Sequence, residues 1–195
     1  SIKSYRDEDG LEAMSIISLL ARIGSSDPVM PFTSVEPLIE AFEFSKFSRA
    51  TAKFDPNDLQ ILNEKILHVT DYSAVKERLP EELTEKIWNV ARANIKKLDD
   101  VKAWLKIVNG PVSPVIEDRH FIAKAIGMLP SGQWDNETWK EWTAAVKKET
   151  GTKGKKLFMP LRQAITGLDH GPEMASLLPL IGEERVRARL KGSEA

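Results

Sequence analysis

No cysteine occurs in the 195 residues. Disulfide staples, thiolate metal sites and cysteine nucleophiles are excluded, and a reducing compartment fits, so cytoplasm is the expected location. Net charge is almost absent: 28 Lys+Arg against 29 Asp+Glu leave a formal −1. No global field draws such a chain to DNA or to an anionic membrane, and any polyanion site has to be a local patch. No stretch approaches the roughly 18 consecutive apolar residues of a membrane span. The opening Ser1-Ile2-Lys3-Ser4-Tyr5-Arg6 has neither an initiator Met nor the apolar core of a secretion signal, and a fragment of a longer protein is the expectation. With 11 Gly, 11 Pro and a 42% hydrophobic share, the chain is globular, sized for one domain or two small ones.

What is present is helical periodicity. Leu11, Met14, Ile17, Leu20 and Ile23 recur at helical spacing before Gly24. Thr33-x-x-Glu36 reads as a capping box, and Asp55-Pro56-Asn57-Asp58 as a helix start with Asp55 as N-cap and Pro56 in the first turn. Pro80 is expected to open the next helix, Asp99 or Asp100 to cap another, and Gly110-Pro111 to end it. Pro111-Val-Ser-Pro-Val-Ile116 reads as an extended link. Beyond it, helices are expected around Phe121–Ile126, from Asp135 to Gly151, from Leu157 to Gly167, from Pro172 to Ile181, and from Glu183 onward. No alternating run bounded by turn dipeptides argues for a strand. The expected fold is all-α, in two or three successive helical subdomains.

Few residues arrange themselves for catalysis. His68, His120 and His170 lie far apart and share no metal-ligand spacing. Asp169-His170 has no serine in a nucleophile elbow to serve. Gly151-Thr-Lys-Gly-Lys-Lys156 lacks the spacer, the Ser/Thr and the preceding strand of a Walker loop. It does concentrate charge: Lys147, Lys148, Lys153, Lys155, Lys156 and Arg162 follow one another with only Glu149 among them as an acid. Such a strip can neutralise backbone phosphates; a solvated loop is the bland reading. Trp139 and Trp142, at helical spacing, are expected in the core, and Trp134 partly exposed.

The run Gly154-Lys-Lys-Leu-Phe-Met-Pro-Leu-Arg-Gln-Ala-Ile-Thr-Gly167, followed by Asp169-His-Gly-Pro-Glu-Met174, resembles the anticodon-binding region of bacterial glutamyl-tRNA synthetases. Ser48 to Leu59, with Leu62-Asn63, resembles the helical stretch after their catalytic domain, and Ser1 to Gly24 the segment just past their ATP-site lysine loop. Leu180 to Val186 and Arg189-Leu190 complete the match in family order. Leu168 departs from it, standing where many relatives carry a basic residue.

The resemblance implies a class I synthetase helical cage: residues 1–69 a stem-contact region, 70–112 a first anticodon-binding subdomain and 113–195 a second. It implies glutamate tRNA as partner, bound at anticodon loop and inner stem. It also implies a full-length ligase that joins glutamate to tRNA with ATP and magnesium on a domain preceding these parts. Neither an H-x-G-H signature nor a K-[ML]-S-K-[SR] loop occurs here. No catalytic residue, metal ligand or cofactor is therefore expected in this chain, and no activity from it alone.

By the same resemblance Arg162 reads a base, its planar fork able to bond a base edge bidentately. Gly171 and Pro172 form a turn close to the loop, with Gly171 bare so that RNA can approach the backbone. Met174 is an apolar platform. Arg92 and Asn94 stand where the family places a polar reader of the last anticodon base, and Lys153, Lys155 and Lys156 position phosphates. The competing reading is an all-α protein-interaction scaffold whose basic strip meets acidic partners; a hydrolase built on His170 is the third.

Overall fold

The computed structural model describes residues 1–49 and 51–195; Ala50, within the Ser48–Leu59 run, lies outside the described residues. Among the described residues there are twelve α-helices and no strand, only an isolated antiparallel bridge between Ser25 and Phe47. The all-α expectation holds. The chain divides into two compact units, Ser1–Pro80 with Arg92–Val101, and Glu81–Ala91 with Lys102–Ala195. The expected three-part division at 69/70 and 112/113 follows family correspondence, and neither boundary coincides with an edge of these units.

In the first unit, α1 (Ile2–Asp7) and α2 (Ala13–Arg22) precede a short α3 (Glu36–Glu40), then α4 (Pro56–Val69) and α5 (Tyr72–Val75). The start of α4 is as the sequence reads: Asp55 is the N-cap, its carboxylate accepting from Asn57 N at 2.8 Å, with Pro56 at the first position. Leu59, Leu62 and Ile66 pack on Leu11, Ile16 and Leu19, each fully buried side chain contributing about 1.5–3 kcal/mol. Buried Asn63 fixes this packing, accepting from Glu12 N and donating to the Lys96 carbonyl, both at 2.7 Å.

Two local expectations fail here. The buried face of α2 is Ile16 and Leu19, while Ile17 and Leu20 are exposed: adjacent apolar pairs at 16–17 and 19–20 supply two candidate stripes, and only packing against α4 chooses between them. The box at Thr33-x-x-Glu36 does not form, because the N-cap of α3 is Val35, in helical conformation.

The second unit contains α6 (Glu85–Ala91), α7 (Val101–Asn109) apart from its first residue, α8 (Arg119–Gly127), α9 (Thr138–Thr150), α10 (Lys155–Thr166), α11 (Met174–Ile181) and α12 (Glu183–Leu190). Helix α6 begins five residues after Pro80, since 81–84 form a turn and an irregular stretch that buries Leu83. Asp118 caps α8 by accepting from Phe121 N at 2.9 Å, and left-handed glycines close α9 and α10 at Gly151 and Gly167. Helix α10 packs against α8, α9 and α12, and α11 against α6, α9 and α12. Trp142 is fully buried and donates through Nε1 to the Ala125 carbonyl at 2.8 Å.

Arg189 is buried completely and donates to three carbonyls, Ala195 through Nε at 2.7 Å and Ile107 and Ile165 through Nη1 at 2.8 and 3.0 Å. Burial pushes its pKa down to about 10, yet the carbonyl acceptors favour the charged guanidinium, which stays protonated at neutral pH.

Candidate nucleic-acid interface in the second unit

Helix α10 carries two distinct faces. Leu157, Leu161, Ala164 and Ile165 point into the core at helical spacing. Lys155, Phe158 and Arg162, three and four residues apart, share another face, and Phe158 is exposed. Arg162, Trp139 of α9, Phe158, Glu173, Met174 and Ala175 line an open groove of about 340 Å³.

Arg162 is half-buried beside the 171–172 turn, its Nη2 donating to the Pro172 carbonyl at 2.8 Å. Its Nη1 is shielded from solvent and has no hydrogen-bond partner among the described residues. Burial holds its pKa below the ordinary arginine value, but arginine does not lose its proton in a folded protein. An unmet buried donor costs about 1–3 kcal/mol, so the guanidinium is held on one side and short of an acceptor on the other. Thr166 steadies the end of the helix, its hydroxyl donating to the Arg162 carbonyl at 2.8 Å and accepting from Leu168 N at 3.1 Å.

The bare turn also answers a packing need. Gly171 has φ 127°, and a Cβ there would lie 2.4 Å from Cη2 and 2.7 Å from Cζ3 of Trp104. The missing side chain makes room for the Trp104 ring, a steric need separate from the expected approach of RNA. Pro172 is buried, and Met174 is only 4% exposed. Met174 is therefore part of the groove floor rather than a protruding platform, because α11 presents it to the core together with Leu177, Leu178 and Ile181.

Lys153, Lys155 and Lys156 are all exposed. Lys155 and Lys156 occupy the first turn of α10, where their charge adds to the positive end of the helix dipole instead of offsetting it. The nearby carboxylate of Asp169 is held below its usual range, chiefly by a 2.7 Å hydrogen bond with His170, with the charges of His170 and Lys155 adding to it. His170 is exposed and its ring bonds the Asp169 carboxylate, with no serine completing a triad among the described residues.

Arg92 and Asn94 belong to the first unit. Arg92 Nη1 donates to the Thr70 carbonyl at 2.7 Å, at the C-terminal cap of α4, and lies 3.8 Å from Asp71. That contact gives it a capping task within the unit; Asn94 is exposed. Trp134 is partly exposed, as expected, and donates to the Pro130 carbonyl.

Sequence reasoning missed the aromatic wall of the groove. Trp139 is only partly buried, its ring 6.3 Å from that of Phe158 at 37° and 5.6 Å from that of Trp142 at 71°. The signal in the sequence was Phe158 itself, placed four residues before Arg162 and off the Leu157–Leu161 stripe. Among the described residues no group of His, Asp and Glu has the makings of a metal site, and no helix is long and apolar enough to cross a membrane.

Comparison with known proteins bears on this geometry. Two curated relatives are Glutamate--tRNA ligase 1 of Maricaulis maris, 48% identical over 197 residues, and Glutamate--tRNA ligase 1 of Parvibaculum lavamentivorans, 47% identical over 195. The matches cover 100% and 98% of this chain but 44% and 43% of those proteins, so the chain spans less than half the length of the curated relatives it matches. A crystal structure of a glutamate tRNA ligase from Elizabethkingia meningosepticum shares the fold, with TM-score 0.74 at 22% identity over 96% of this chain and 41% of that one. Residues 72–193 match the model of the anticodon binding domain; since that covers most of the sequence, the chain belongs to the anticodon binding domain family.

Proposed function

We propose that this chain binds glutamate tRNA, residues 70–195 receiving the anticodon loop and residues 1–69 meeting the inner stem, as the tRNA-binding portion of a cytoplasmic glutamate--tRNA ligase. The observation that carries the reading is Arg162, anchored by the Pro172 carbonyl in a solvent-open groove within the matched region. The anchored Nη2 fixes the direction of the guanidinium, so its remaining donors are already oriented when a base edge arrives. Lys153, Lys155 and Lys156, at the mouth of the same helix, hold the loop phosphates through charge that releases counterions. Arg92 and Asn94 are assigned to the last anticodon base, with Arg92 acting from its Thr70 contact.

The complete ligase would attach L-glutamate to its tRNA with ATP and magnesium. The resemblance assigns both groups to the domain that precedes these parts in the family, and no H-x-G-H or K-[ML]-S-K-[SR] motif occurs in this sequence. The chain by itself contributes recognition rather than chemistry, and neither DNA nor a membrane is its partner.

Footprinting the chain on glutamate tRNA tests the reading. Protection is expected on the anticodon loop and the elbow-facing stem. Protection confined to the acceptor end would contradict it, as would equal protection of unrelated tRNAs, which is what a protein-interaction scaffold with a basic strip predicts.

A further inference from the structure

Among the described residues of the second unit, Val115 and Phe158 are the large apolar side chains that stand well out in solvent, at 40% and 45% exposed. The exposed aromatic therefore lies in the Arg162 groove. It is backed by the partly buried indole of Trp139, which Trp142 supports edge-on from the core. Leaving a phenyl ring half in water forfeits hydrophobic stabilisation that the buried faces of α9 and α10 collect elsewhere. Its position relative to charge selects the occupant: Lys155 and Arg162 flank it on α10, and Glu173 is the one acid among the residues lining the groove. An apolar plane framed by cations matches a flat, unstacked base carried on a phosphate backbone.

We infer that the Trp139–Phe158 wall is a stacking platform for one splayed base of the anticodon loop, with Arg162 reading the edge of that base while Phe158 holds its face. This rests on the anticodon-binding reading and adds two residues to it. Stacking explains how a groove with one anchored guanidinium can hold a base firmly: the face contact is tolerant of base identity, and the edge contact supplies discrimination.

The test is equilibrium binding of the 195-residue chain to the glutamate anticodon stem-loop, and to loops in which each base in turn is replaced by an abasic site. The proteins are the unmodified chain, Phe158→Leu, Phe158→Tyr and Trp139→Phe, with far-UV circular dichroism confirming that each is folded. Phe158→Leu is expected to weaken binding ~5- to 150-fold, the range of one base–aromatic stack. Phe158→Tyr and Trp139→Phe, which keep a ring, should stay within about twofold by the same reasoning. On the loop lacking the stacked base, Phe158→Leu and the unmodified chain should bind alike. Phe158→Leu binding as tightly as the unmodified chain, while that chain still prefers the glutamate loop over one with an unrelated anticodon, overturns the platform and spares the broader reading. An equal penalty for Phe158→Leu on every abasic loop overturns it too, since no single base would then be stacked. Absence of any anticodon preference in the unmodified chain overturns both.

Discussion

Replacing Gly171 by Ala separates two explanations of the 171–172 turn. The new methyl would sit 2.4 and 2.7 Å from two carbons of the Trp104 ring, against an optimal carbon–carbon separation of about 3.5–4.0 Å. Trp104 is 7% exposed, so the ring has little room to retreat, and overpacking of this kind costs roughly 1–3 kcal/mol. The backbone at φ 127° adds about 1–3 kcal/mol for a residue with a Cβ. Together they amount to about 2–6 kcal/mol, a large part of a typical domain's stability of roughly 5–15 kcal/mol. All five tryptophans, Trp88, Trp104, Trp134, Trp139 and Trp142, lie in the second unit, so their fluorescence follows that unit's unfolding in urea. With a slope near 2 kcal/mol/M the midpoint should fall by about 1–3 M. In a Trp104→Leu background the same substitution should cost less, because the ring that it strikes is gone. An unchanged midpoint for Gly171→Ala would refute the steric argument; if RNA affinity fell at the same time, the bare α-carbon would be serving RNA approach after all.

Arg92→Ala removes the charged donor from the Thr70 carbonyl and should destabilise the first unit by about 1–3 kcal/mol in thermal unfolding followed by circular dichroism; weaker tRNA binding with unaltered melting would make Arg92 a reader without a capping role. Replacing Lys153, Lys155 and Lys156 together by Ala should shallow the dependence of log affinity on log salt by about 2, at roughly 0.7 per phosphate contact on a single strand, while leaving anticodon preference intact. An unaltered slope would take those lysines off the phosphates. Arg189→Met strips the donor from the Ile107, Ile165 and Ala195 backbone oxygens and should cost about 1–3 kcal/mol in urea unfolding. A neutral result would mean that packing, not these hydrogen bonds, joins the helix ends.

The helix inventory was legible because its punctuation is local. Asp55 and Pro56 start α4 with their own side chains, and Gly151 and Gly167 stop α9 and α10 by adopting left-handed backbone, all readable within a few residues. Which face of a helix is buried is a tertiary choice. Ile16 and Ile17 are equally apolar, and the partner helix α4 decides between them. The interface shows the same division. Arg162 and the 171–172 turn, both singled out by the family resemblance, are ten residues apart and are joined by a hydrogen bond. Trp104, far from Gly171 in sequence, imposes a separate steric need for the glycine. Met174 looked like a platform because it follows the turn, but helix phase sends it to the core. Phe158 is less conspicuous than the tryptophans, although its place four residues before Arg162 and off the buried stripe made it readable.

On the proposed reading Arg162 is the residue on which recognition turns, and anticodon discrimination measures it. The ratio of affinities for glutamate tRNA and for the same tRNA body with an unrelated anticodon should be large for the unmodified chain. It should collapse toward unity for Arg162→Ala, with the fold retained and the salt-dependent, phosphate-borne part of binding still present. A ratio that Arg162→Ala leaves intact would contradict the claim that this guanidinium reads the anticodon.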